Sequence, residues 1–227
     1  MPDSFILITV AVVVITCGLI WLSRWMEEKK RAAFRALAAK LNFIYQPEMN
    51  HGLATQYAFL TKLNTGSNRY ASHILRGTSG GFELLAFDHH HETYTTDSKG
   101  NRTTHHYHHS VYVLNLPRDF PKLTVYPEGI FSKIAQAFGY DDIDFESAEF
   151  SRAFCVRSPD KRFAYDVCHA LAIEFLLENR SMGLEIDSTT LASIDEGALS
   201  STEVESRLAR LIAFRKLMPE YLLKATA

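Results

Sequence analysis

The sequence predicts an α+β fold: an N-terminal transmembrane helix followed by one cytoplasmic domain with a mainly antiparallel sheet and flanking helices. Three observations carry this. Residues 4–23 hold no charged side chain, strand-like segments cluster in the middle of the chain, and helices separate the later strands. The division that follows is an anchor at 1–23, a juxtamembrane helix at 24–42 and a soluble domain at 43–227.

The anchor is the plainest signal. About 20 residues at a rise of about 1.5 Å span about 30 Å, the thickness of a bilayer's hydrocarbon core. The only two tryptophans, Trp21 and Trp25, stand at its C-terminal end, where indoles favour the interface. A cleaved signal peptide would need a basic start, but the first charge is Asp3, and Cys17-Gly18-Leu19 makes a poor cleavage site. Thr16 before Cys17 does not suit a lipoprotein signal, and a buried core helix would show a polar face. No Lys or Arg precedes the span, whereas Arg24, Lys29, Lys30, Arg31 and Arg35 follow it. The positive-inside rule then predicts a single-pass protein of the bacterial inner membrane with its C-terminal domain in the cytoplasm. On that side the sequons at Asn101 and Asn179 have no meaning.

Residues 25–41 read as the same helix leaving the membrane, with Phe34, Leu37, Ala38 and Leu41 as an apolar stripe. A short strand at 43–45 precedes a helix capped by Asn50. Strands are expected at 69–75, 82–96, 103–116 and 123–126, with residues 97–101 closing a hairpin between the second and third. Pro127 opens a helix carrying Ile130, Phe131, Ile134 and Phe138 and ending at Gly139. After a strand at 153–157, Ser158-Pro159 begins one long helix with Phe163, Val167, Leu171 and Phe175 on its inner face. Residues 184–187 and 191–194 read as a small hairpin, and Ser200 to Glu203 as a capping box for the last helix.

Composition removes several function classes. A 12% aromatic share is incompatible with general disorder. A formal charge of -2 gives no electrostatic case for nucleic acid. Cys17, Cys155 and Cys168 are too few and too far apart for a disulfide scaffold or a CxxC site. The acidic run at 141–146 lacks the glycine and terminal glutamate of a calcium loop. There is no G-x-S-x-G, Walker A, G-x-G-x-x-G or H-E-x-x-H motif, so no catalytic or cofactor-binding residue is assigned.

One chemistry-bearing cluster remains. Seven of the 10 histidines lie between 89 and 109: His89, His90, His91, His105, His106, His108 and His109. A turn centred on Lys99-Gly100 sets His91 opposite His108 and His90 opposite His109. That register gathers His89, His91, His106 and His108 on one face as candidate ligands for zinc or nickel. His90, His105 and His109 share the other face with Tyr107. The competing reading is an exposed, pH-responsive ribbon. His51, His73 and His169 stand alone and read as structural.

Several stretches resemble an uncharacterised family of bacterial proteins, often single-span and membrane-anchored. They are Ala38-Ala39-Lys40-Leu41-Asn42-Phe43, Ala86-Phe87-Asp88, Tyr126-Pro127-Glu128-Gly129-Ile130-Phe131, Asp142-Ile143-Asp144-Phe145 and Glu149-Phe150-Ser151-Arg152-Ala153-Phe154, with Asp160 and the helix after it. The resemblance covers most of the chain after residue 32 and implies a fold and a habitat, with no catalytic residues. The family's hairpin is polar and aromatic, so the histidines are a departure from it. The expectation is therefore a membrane-anchored binding or scaffolding domain, touching the lipid bilayer and a protein partner. A metal- or pH-sensing module is the alternative, and a tethered enzyme a weaker one.

Overall fold

The computed structural model describes residues 2–131 and 142–224. Helix α1 (Pro2–Leu41) is continuous from the apolar run into the folded domain. It contains the one helical stretch among the described residues that is long and apolar enough to cross a membrane, and the most apolar part of that stretch is not buried. Lower down, Phe34 and Ala38 enter the core, so the helix is both candidate span and structural element.

The rest is α+β, as predicted. Strands β1 (Ile44–Gln46), β2 (Ser67–Ser79), β3 (Phe82–Thr96), β4 (Arg102–Pro127), β5 (Phe154–Arg157) and β6 (Leu184–Glu196) form one antiparallel sheet. The order is β1-β2-β3-β4-β5, with β6 on the other edge of β4. Helices α2 (His51–Gln56), α3 (Glu128–Phe131), α4 (Ala148–Ala153), α5 (Lys161–Val167), α6 (Ala170–Glu178), α7 (Val204–Leu217) and α8 (Glu220–Leu223) complete the domain. Asn50 caps α2 as expected, its Oδ1 accepting from Leu53 N at 2.8 Å. Of the helix expected after Pro127, Ile134, Phe138 and Gly139 lie outside the described residues.

Side chains alternate across β3 and β4, so the sheet carries two cores. Leu84, Ala86, Tyr112 and Leu114 face the end of α1 and the later helices. Leu85, Phe87, Val111 and Val113 face α2 and the 3-10 turn Thr61–Leu63, packing with Leu53, Tyr57, Leu60 and Leu63. Leu41 of α1 lines a crevice with Leu84, whereas Lys30 pairs with Asp88. β3 therefore runs back toward the apolar N-terminal part of α1.

Four local expectations need correction. The strands expected at 103–116 and 123–126 are one long β4, which pairs with β3 through its first half and β5 at its end. The small hairpin at 184–194 is a single strand: Ser188, at φ 52°, bends β6 without reversing it, and both halves stay on β4. The helix after Ser158 starts instead at a cap on Asp160, whose Oδ1 accepts from Phe163 N at 3.0 Å. It then breaks at Cys168-His169, and that break shifts the helical phase. Ala172 and Leu176 point inward, and Leu171 is 59% exposed. At α7, Ser200 contributes its carbonyl to Glu203 N and Val204 N, and its hydroxyl meets Thr202, so no capping box forms.

Candidate functional site: the histidine ribbon

The β3–β4 hairpin closes through three residues rather than two. Asp97 N donates to Asn101 O at 3.0 Å, and Asp97 Oδ1 accepts from Lys99 N at 2.9 Å and Asn101 N at 2.8 Å. Gly100 takes φ +85°, the left-handed residue that a three-residue hairpin loop requires. Asp97 and Asn101 thus flank the loop, where the sequence reading placed the centre between Lys99 and Gly100. That single-residue slip moves half of the imidazoles to the other face. The observed partners are His89 with His109, His90 with His108, His91 with Tyr107, Glu92 with His106 and Thr93 with His105. The expected quartet is therefore split: His89 and His91 share one face with His109, and His106 and His108 share the opposite face with His90.

On the α1 face every imidazole has a partner. His108 Nδ1 lies 3.0 Å from Asp88 Oδ1, and Lys30 Nζ lies 3.7 Å from Asp88 Oδ2. His90 Nε2 meets His106 Nδ1 at 3.1 Å, and His90 Nδ1 meets Asn68 O at 3.3 Å. Glu92 Oε1 accepts from Asn68 Nδ2 at 2.7 Å and stands 3.5 Å from His106 Nδ1. Glu92 Oε2 accepts from Tyr94 OH at 2.9 Å. These hydrogen bonds, from Asn68 first and Tyr94 second, pull the Glu92 carboxyl below its usual range. His90, Glu92 and His106 could together offer ligand atoms to an ion, but they already satisfy one another.

On the α2 face the histidines continue the apolar core of Phe87 and Val111. His89 is fully buried, His91 nearly so and His109 partly. Nδ1 and Nε2 of His89, Nδ1 of His91 and Nδ1 of His109 are buried without a hydrogen-bond partner. One nitrogen from each ring lies within 4.8 Å of the others. His91 stacks with Tyr107 at 5.1 Å and with His109 at 5.3 Å between ring centroids. Gly66 makes room for them, since a Cβ there would come within 2.8 Å of His91 Cδ2. Burial holds the imidazoles neutral, driving His89 down to about 4 and His109 to about 3, with His91 lowered as well. The neighbouring imidazoles, Arg69 near His89 and Lys62 near His109 add to the effect.

His105 of the ribbon and the three lone histidines each have a hydrogen-bond partner. His105 meets Thr95 Oγ1 at 2.9 Å, His51 meets Arg69 O at 2.8 Å, and His169 meets Leu217 O at 2.8 Å. His73 meets Tyr45 OH at 2.7 Å, stacks on Phe34 and faces Glu27 at 3.6 Å. Asp142, from the acidic run, is spent on backbone: its Oδ1 accepts from Val156 N at 2.8 Å and Ile143 N at 3.0 Å. Cys155 and Cys168 are buried core residues whose thiols are raised to about 12, burial being the first cause.

One buried polar centre had no sequence signal beyond an acid between two aliphatics. Glu185 is 1% exposed and accepts from Thr61 N at 2.9 Å, Thr61 Oγ1 at 3.0 Å and the Tyr126 hydroxyl. The crevices around Arg76, Glu83 and Asn115, and around Leu41 and Leu208, hold no nucleophile paired with a base.

No protein-family model matches the chain, and no curated protein matches it. Among solved structures, the fold is similar to the crystal structure of the mycobacterial trehalose monomycolate transport factor A, TtfA. The TM-score is 0.52 at 10% identity, over 82% of this chain and 89% of that one. At that identity the likeness is one of fold alone.

Proposed function

We propose that the chain is a single-pass membrane protein whose α+β domain sits on the cytoplasmic side and acts as a non-enzymatic binding platform at the bilayer surface. The observation that carries this is the continuity of α1, which is exposed from Thr9 to Met26 along its apolar stretch and locked into the core at Phe34 and Ala38 further on. A rigid helix holds the domain at fixed height, whereas a flexible linker would let it roam. Arg24, Lys29, Lys30, Arg31 and Arg35 beside the span support the cytoplasmic orientation, as do three free cysteines. Lys29 Nζ, 3.6 Å over the Trp25 ring, places a cation and an indole together where the helix would leave the lipid. The fold neighbour bears the name of a transport factor, and a binding role for this domain is in keeping with that.

Paired reporter fusions after Ala227 test the orientation. A cytoplasmic reporter should be active there and a periplasmic one silent. Activity of the periplasmic reporter would overturn the orientation, and release of the full chain from membranes by carbonate would overturn the span.

A further inference from the structure

We infer that His89, His91 and His109 bind one divalent transition-metal ion, with a fourth position left to water or to a ligand from outside. The inference is independent of the membrane orientation.

It rests first on what the three rings lack. A neutral imidazole carries one donor and one acceptor, and burying either without a partner costs free energy. His89 buries both nitrogens without a partner, and His91 and His109 each bury one more. Among the described residues no carbonyl, hydroxyl or carboxylate reaches these atoms, although such groups serve the histidines of the opposite face. An ion coordinated by the three rings would satisfy a nitrogen on each.

The geometry is close to what coordination needs. Bonds of about 2.0–2.1 Å in a tetrahedral site place ligand nitrogens about 3.3 Å apart. The three nitrogens stand within 4.8 Å of one another, so small ring rotations close the gap. Two rings come from one strand, two residues apart, and the third from the strand opposite. A paired ribbon fixes such positions more firmly than a loop could.

Chemistry then selects the ion. The set is three neutral imidazoles with no thiolate and no carboxylate, which suits zinc, nickel, cobalt(II) or copper(II) and not calcium or magnesium. Two cations lie nearby and are already engaged. Arg69 Nη1 donates to Asn64 Oδ1 at 2.8 Å, and Lys62 Nζ reaches Ile194 O at 3.5 Å and lies over the Tyr126 ring. The incomplete burial of His109 leaves an approach for the ion from the Tyr107 side of the ribbon.

The test uses the full-length chain in detergent micelles, its purification tag removed and its metal stripped. Cobalt(II) is titrated with visible absorption as the readout, and zinc binding is measured by equilibrium dialysis. The expected result is one saturable ion per chain, with the cobalt spectrum of a four-coordinate nitrogen-oxygen site. Loss of an ordinary supporting contact to a metal ligand costs about 10–100-fold in affinity, so His91→Ala and His109→Ala should each cost at least about tenfold. His106→Ala, on the other face, should leave affinity within about twofold. Weak binding of several ions by wild type, with no one-to-one step, would overturn the site irrespective of how the variants fold. Loss of binding in His106→Ala with retention in His91→Ala would also overturn it, moving the ion to the opposite face.

Discussion

On the α1 side of the histidine ribbon, His90, His106 and His108 are bonded to Asn68, to one another and to Asp88. On the α2 side, His89, His91 and His109 face each other with buried, unpartnered nitrogens. The residues are of one type, and His89, His90 and His91 are consecutive on β3. What differs is the cover. The α1 face keeps two carboxylates, Asp88 and Glu92, and receives Lys30 from the helix. The α2 face continues the apolar cluster of Leu60, Leu63, Phe87 and Val111, and the turn at Gly66 lies against His91. Burial does not by itself strip partners. Glu185 is as buried as His89, yet it accepts from Thr61 and Tyr126. The same sheet thus serves Glu185 with three hydrogen bonds and leaves nitrogens of His89, His91 and His109 without one.

The largest way to break the comparison is to remove the core beneath the bare imidazoles. Phe87 is fully buried and packs on Tyr57 at 5.7 Å. Phe87→Ala should cost about 3–5 kcal/mol in denaturant unfolding. A cost under about 1 kcal/mol would mean that the α2 face is loosely packed, and that the burial of His89 is not enforced.

A matched pair sharpens it. Asp88 is 1% exposed and serves both His108 and Lys30, so Asp88→Ala should cost about 1.5–3 kcal/mol, the scale for hydrogen bonds to charged groups. In metal-free protein His89→Leu should be neutral within about 1 kcal/mol or stabilising, because it replaces unpartnered polar atoms with apolar ones. Equal large losses in both would show that His89 has a partner after all.

A smaller effect concerns the partnered counterexample. Burial, the largest influence, raises the Glu185 carboxyl above its ordinary 4.5, more than the Tyr126 and Thr61 hydrogen bonds lower it. The folded state therefore holds this proton more tightly than the unfolded state does. Its contribution is greatest below about pH 4.5 and is lost as pH rises through the raised value. Glu185→Gln cannot titrate, so its stability relative to wild type should improve between pH 4 and pH 7. Parallel urea midpoints across that range would show that the carboxyl is not raised.

Much of this was legible in the sequence, because it rests on local patterns. The apolar run, the strand alternation around 82–96 and the Asn50 cap each declare themselves within a few residues. The failures are equally specific. The turn residues 97–101 fit either a two- or a three-residue loop, and only the Asp97 side chain and the left-handed Gly100 decide between them. One residue of slip then turns the β4 histidines over relative to those of β3, so His109 joins His89 and His91 while His106 and His108 lie on the opposite face. The exposure of Leu171 has no local signal, because nothing in the sequence marks the break at Cys168-His169, which is held by a distant contact, His169 to Leu217 O. β6 reads as a hairpin in the sequence because Ser188 bends it at a polar triplet that resembles a turn. Glu185 was invisible because its donors come from residues 61 and 126.

Anomalous diffraction at the zinc edge, from crystals of the chain grown with zinc and without a histidine tag, is the most direct measurement of the difference between the two faces. The account predicts a single peak about 2.0–2.1 Å from one nitrogen each of His89, His91 and His109. A peak among His90, Glu92 and His106 instead, or bare density at the three buried rings under saturating zinc, would contradict it.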